Sequence, residues 1–132
     1  TIQGSGQQQR TFVHCEDAAR AYTAVVENGV LGAVYNIGTE DEKTVLEIAE
    51  HLLRIMKPGE KKDDWLITVP DRDFNDARYM VDTGALESIG WKKDVDFDKG
   101  LRETVMWYQE AFKNRHWSFI NPEIGKPPLS AK

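Results

Sequence analysis

The chain has 132 residues, enough for one domain and too few for two, and its 40% apolar share supplies a core, which excludes a disordered tail. Its 17 basic residues against 22 acidic ones give a net charge of −5. Nucleic acid and anionic membrane surfaces call for a basic footprint, so neither is expected as a partner. No apolar run reaches the roughly 20 residues of a membrane helix. The single cysteine, Cys15, makes no internal disulfide, so a reducing compartment, the cytoplasm, is expected.

In chain order, Thr1 to Arg10 is polar and glycine-bearing and reads as a loop. Thr11 to Cys15 reads as a short strand from its β-branched and aromatic content. Asp17 is placed to cap the next helix, whose apolar spacing buries Ala18, Ala21, Tyr22, Val25 and Val26. Asn28-Gly29 ends it, both residues tolerating a left-handed conformation. Ala33 to Ile37 reads as a second strand. Thr44-x-x-Glu47 is a capping box, and the helix it opens carries Val45, Ile48, Ala49, Leu52, Leu53 and Met56 on one face until Pro58-Gly59 stops it. Glu60 to Asp64 is a charged loop, Trp65 to Val69 a third strand, and Pro70 to Arg78 a polar loop followed by the extended piece Tyr79 to Val81. Asp82 is placed to cap a small helix with Ala85, Leu86 and Ile89, which Gly90 ends. Asp96 opens a last helix whose buried side is Leu101, Val105, Tyr108 and Phe112. Residues 116–132, with three prolines, read as a tail. Strands and helices alternate roughly, so the class is α/β or α+β.

Few residues invite chemistry on their own. Gly4-Ser5-Gly6 lacks the third small residue, the preceding strand and the following helix of a dinucleotide loop, so it is not read as one. His14 beside Cys15 is poor metal-ligand spacing, and Cys15 is expected to be buried as a small apolar residue. Trp91 and Trp107 are expected to pack. Arg10 and Arg72 each sit in a loop beside a strand end among hydrogen-bonding residues. Planar guanidinium forks suit phosphate oxygens, and two converging forks would neutralise a diphosphate. On composition alone a surface ion pair, for example Arg72 with Asp71 or Asp76, is the plainer reading.

The ordered blocks Gly4-x-Gly6-x-Gln8-x-Arg10-x-Phe12-Val13-His14-x-x-Asp17-x-Ala19, Val34-Tyr35-Asn36-Ile37-Gly38, Asp71-Arg72-x-Phe74-Asn75-Asp76-x-Arg78-Tyr79, Ile89-Gly90-Trp91 and Gly100-Leu101-x-x-Thr104-Val105-x-Trp107-Tyr108 decide the matter. Together they resemble the C-terminal part of the extended short-chain dehydrogenase/reductases that act on nucleotide sugars. Within these, the Asp71 to Tyr79 block looks most like the NDP-glucose 4,6-dehydratases, in a form similar to eukaryotic members such as plant rhamnose synthases. The resemblance covers residues 1 to about 115.

The resemblance implies an α/β substrate-binding region: a small mixed sheet with helices, lacking the N-terminal Rossmann domain. It implies that Arg10 reaches the sugar nucleotide, that Asn36 lies near the nucleotide, that Arg72 binds the diphosphate, and that Asn75 stands beside the nucleotide where bacterial enzymes usually carry histidine. Asp73 replaces the usual proline after Arg72. In such enzymes NAD takes a hydride from C4 of glucose, water leaves across C5–C6, and the hydride returns to C6, giving a 4-keto-6-deoxy sugar. A glycine-rich cofactor loop and a Tyr-x-x-x-Lys pair are not found here; Tyr108 is followed by lysine only at Lys113. The expectation is therefore a catalytically incomplete sugar-nucleotide-binding portion of a larger lyase. NAD is held by its own N-terminal domain, a UDP- or dTDP-sugar is the ligand, and the full-length enzyme is a homodimer. An NDP-sugar epimerase or UDP-glucuronate decarboxylase is the alternative within the family, and a non-enzymatic binding or oligomerisation module is the alternative outside it. Without a Rossmann sheet to pack on, the faces bearing Tyr22, Val25 and Val34 are expected to expose apolar surface.

Overall fold

The computed structural model describes residues 1–114; the expected tail lies outside them. Along the chain come β1 (Ile2–Gln3), β2 (Gln9–Thr11), α1 (Cys15–Asn28), β3 (Glu42–Thr44), α2 (Val45–Met56), a 3-10 turn (Lys62–Asp64), β4 (Thr68–Val69), α3 (Gly84–Ser88) and α4 (Phe97–Lys113). Two small sheets form. In one, β1 runs parallel to β4, with Ile2 opposite Thr68 and Gln3 opposite Val69. In the other, β2 runs antiparallel to β3, with Arg10 opposite Lys43. A parallel bridge from Gln9 to Arg78 adds the 77–79 segment to the free edge of β2.

Where the signal is local, expectation and structure agree. Thr44 accepts a hydrogen bond from the Glu47 amide while Glu47 accepts one from the Thr44 amide, closing the capping box of α2. That contact holds the Glu47 carboxyl below its ordinary range, since the Thr44 backbone donor favours the charged form. The last helix starts at Asp96, which caps α4 through the Lys99 amide, and Gly90, at φ +97°, supplies the left-handed turn after α3; Thr83, not Asp82, stands at the cap position of α3.

Elsewhere the structure corrects the reading. Asp17 does not cap α1. His14 does, its Nδ1 accepting from the Glu16 amide at 3.4 Å. Asp17 is instead fully buried on the inner face of the helix. Its carboxylate accepts the Asp94 amide at 2.9 Å and the Val95 amide at 3.0 Å, and pairs with Arg20. Trp91 Nε1 donates to the Asp17 carbonyl at 3.0 Å. Burial alone would raise the Asp17 carboxyl, but the two backbone donors and the Arg20 charge outweigh it and hold it below its ordinary value.

Cys15 is exposed rather than buried. Two residues along a helix are about 200° apart, so the turn that points Asp17 inward points Cys15 outward. Gly29 ends α1 in an extended conformation, φ −72°, and not a left-handed one.

The strands shift for want of partners. The first ladder covers Gln9–Thr11, because beyond the Phe12 amide, bonded to the Asp41 carbonyl, no neighbouring strand continues. Only Thr68–Val69 of the third expected strand pairs. Residues 33–37 keep the in-and-out alternation of a strand: Tyr35 and Ile37 pack on the buried Ala21, Leu86 and Trp91 cluster, while Val34 faces outward. Among the described residues, however, no strand lies beside them to make a ladder.

The core is correspondingly small. Trp91 packs as expected, at 4% exposed, but Trp107 is 52% exposed. Tyr108 and Phe112, expected on the buried side of α4, are also exposed; Val105 is buried as expected, together with Ala111. The outer face of α1 and the loop after it bare Tyr22, Val26, Val30, Leu31 and Val34, with Leu31 fully exposed. Val25 is half-buried against the Leu86 cluster.

Candidate functional site

β2 is flanked on both edges, by β3 and by residues 77–79. The Gln9 amide donates to the Ala77 carbonyl at 2.8 Å, and the Tyr79 amide to the Gln9 carbonyl at 3.3 Å. This pairing lays the 71–76 loop beside Arg10. A bidentate contact locks it from the other side: Arg78 donates to both Glu42 oxygens, at 2.5 and 2.8 Å, from the strand across β2. The Arg78 hydrogen bond holds the Glu42 carboxyl below its ordinary range and raises Arg78 in turn.

A polar cleft of about 330 Å³ opens where these segments meet, lined by Gln8, Arg10, Arg72 and Asn75 among others. Arg10 lies over the Tyr79 ring, 5.3 Å from its centroid. Its Nη1 donates to the Gln9 and Asp76 carbonyls at 2.6 and 2.9 Å. Its Nη2 donates to Asn75 Oδ1 at 3.3 Å, and Arg72 Nη2 donates to the same oxygen at 2.8 Å. Two positive forks from distant parts of the chain thus converge on one amide oxygen. An arrangement of this kind suits an anion with several oxygens, because each fork keeps further donors for it.

Of the four residues singled out from sequence, Arg10, Arg72 and Asn75 come together in this cleft. Asn36 does not line it. It lies exposed in the 33–37 segment, its Nδ2 donating to the Asp82 carbonyl at 3.0 Å. The pairing of Arg72 with an Asp71 or Asp76 carboxylate, the plainer reading on composition, is replaced by a bond to Asn75. Two residues were missed as participants: Gln8, which lines the cleft, and Asp71, which is bonded to its lining residues. Asp71 accepts from Gln8 Nε2, from Asn75 Nδ2 and from the Arg72 amide, each at 2.9 Å. Both stood in the quoted motifs, but nothing local showed that they would meet across the chain.

The turn at Gly4 and Gly6 does not fit the diphosphate of NAD. A dinucleotide loop offers free backbone amides at a helix start. Gly4 and Gly6 do adopt left-handed φ values, +60° and +71°, but the Gly4 amide is bonded to the Val69 carbonyl and the Asp71 carboxylate fills the space beside it. A strand follows, not a helix.

Residues 1–38 match the NAD dependent epimerase/dehydratase family. The dTDP-D-glucose 4,6-dehydratase of Mus musculus is 36% identical over 116 residues, covering 86% of this chain and 33% of the mouse protein. Among solved structures, dTDP-glucose 4,6-dehydratase from Streptomyces venezuelae, with NAD and TYD bound, superposes with a TM-score of 0.77 at 35% identity, over 88% of this chain and 34% of that one. A UDP-glucose 4-epimerase from Thermotoga maritima gives 0.73 at 25% identity, over 83% and 35%. The chain spans about a third of the length of the curated relatives it matches. Fold and cleft are therefore similar to a segment of the extended short-chain dehydrogenase/reductases. Within that class its resemblance is to the NDP-glucose 4,6-dehydratases, more than to the epimerases.

Proposed function

We propose that this chain is the sugar-nucleotide-binding portion of an NAD-dependent NDP-glucose 4,6-dehydratase, a cytoplasmic enzyme that forms an NDP-4-keto-6-deoxyglucose. The observation that carries the reading is the convergence of Arg10 and Arg72 on Asn75 in one cleft, in a chain that resembles dehydratases over most of its length. Arg72 and Arg10 bind the diphosphate oxygens, Asn75 lies beside the nucleotide, and Asn36 approaches the nucleotide from the separate 33–37 segment. NAD supplies the hydride chemistry at C4 and C6 and is held by a Rossmann domain of the longer enzyme, which acts as a homodimer. The bare faces of α1 and residues 30–34 are covered by that domain.

Calorimetric titration of the chain with UDP and with dTDP tests the reading. Binding is expected, and Arg72→Ala is expected to weaken it about tenfold, the loss of one charge-assisted contact. No binding of either nucleotide, or equal binding by wild type and Arg72→Ala, overturns the diphosphate assignment. The chain alone, given UDP- or dTDP-glucose and NAD, is expected to yield no 4-keto product; measurable product overturns the division of labour.

A further inference from the structure

An asparagine amide has two unlike ends, an acceptor oxygen and a donor NH₂. Which end faces the two guanidiniums decides whether Asn75 draws them together or repels them. The Asp71 carboxylate makes that choice. Asn75 Nδ2 donates to Asp71 Oδ1 at 2.9 Å, so Asn75 Oδ1 is turned the opposite way, onto Arg10 and Arg72. A flipped amide would set NH₂ against two guanidiniums and an oxygen against a carboxylate.

Asp71 is seated in its turn. Its Oδ1 also accepts the Arg72 amide, and its Oδ2 accepts Nε2 of Gln8, a side chain only 8% exposed and so fixed in place. Gly4 leaves room for the carboxylate: a Cβ there would stand 2.6 Å from Asp71 Oδ2. Three segments, the Gly4 turn, the entry to β2 and the 71–76 loop, thus converge on one carboxylate that itself lies at the surface.

Resting on the reading of the cleft given above, we infer that Asp71, seated by Gln8 and Gly4, is a positioning residue. It fixes the orientation of the Asn75 amide and through it pre-spaces Arg10 and Arg72 for a nucleoside diphosphate. Preorganisation of this kind raises affinity by removing the cost of ordering the forks at binding.

The test uses the full 132-residue chain, with UDP and dTDP as probes and the side-chain amide resonances of Asn75 as a second readout. Asp71→Ala is expected to weaken binding about tenfold with little change in thermal stability, and to shift the two Asn75 Nδ2 protons toward the values of a free amide. Asn75→Asp, of the same size but without a donor for Asp71, is expected to fall as Asp71→Ala does. If Asp71→Ala binds like wild type while Arg72→Ala is weakened, positioning by Asp71 is wrong and the nucleotide reading stands. If wild type binds neither nucleotide, the nucleotide reading fails, and the Asn75 resonances still decide the orientation: unchanged protons in Asp71→Ala overturn it.

Discussion

Two aspartates each gather several hydrogen bonds, and their surroundings give them opposite uses. Asp17 is fully buried and binds the Asp94 and Val95 amides and Arg20, sewing α1 to the segment before α4. Asp71 is exposed and binds Gln8, Asn75 and the Arg72 amide. Removing a buried acceptor strands donors that water cannot reach, while an exposed one is replaced by water. The first aspartate therefore serves stability and the second geometry, although both are held by backbone and side-chain donors alike.

Four substitutions break or sharpen that contrast. Asp17→Ala is expected to cost about 3 kcal/mol in denaturant unfolding, because it leaves the Asp94 and Val95 amides without their acceptor and Arg20 with only the Asp94 carboxylate. Its acid dependence follows from the lowered carboxyl. A carboxyl held below its unfolded value stabilises the fold at pH above that value and loses the contribution as pH falls through the native one. Wild type should thus lose stability below about pH 4, and Asp17→Ala should show a shallower decline there; equal acid slopes would show that Asp17 is not the group titrating. Trp91→Phe, which removes the donor to the Asp17 carbonyl with a smaller ring, should cost about 2 kcal/mol by the same measurement. Thr44→Ala opens the capping box of α2 and is expected to cost about 1 kcal/mol. At the other end of the scale, Asp71→Ala should change stability by less than about 0.5 kcal/mol while weakening nucleotide binding. A loss comparable with that of Asp17→Ala would erase the distinction.

The same pair of residues shows what could be read from the sequence. Local spacing carried the capping box at Thr44 and Glu47, the helix start at Asp96 and the stop at Gly90, since each depends on residues within a turn. Asp17 stood in the right place for a cap by that logic, yet its partners lie 77 and 78 residues on, beyond any local rule. Strand bounds failed for the same reason: a strand is defined by its neighbour, and residues 33–37 have the alternation without the neighbour. The arginines of the cleft were legible as a pair through the ordered motifs. Their meeting point on Asn75, and the part played by Gln8 and Asp71, depend on β2 being paired on both edges.

The cleft, like the Asp17 site, joins parts of the molecule that are remote along the chain. Gln8 meets Asp71 across 63 residues and Arg10 meets Asn75 across 65, and the neighbouring β1–β4 ladder joins Ile2 to Thr68. Closing such wide loops costs chain entropy before any contact returns it, so contacts of this span slow folding, whereas a capped helix such as α2 forms from its own turn. The cleft is thus expected to take shape after the capped helices as the chain folds, and a ligand that binds it would act on late-formed contacts of the protein.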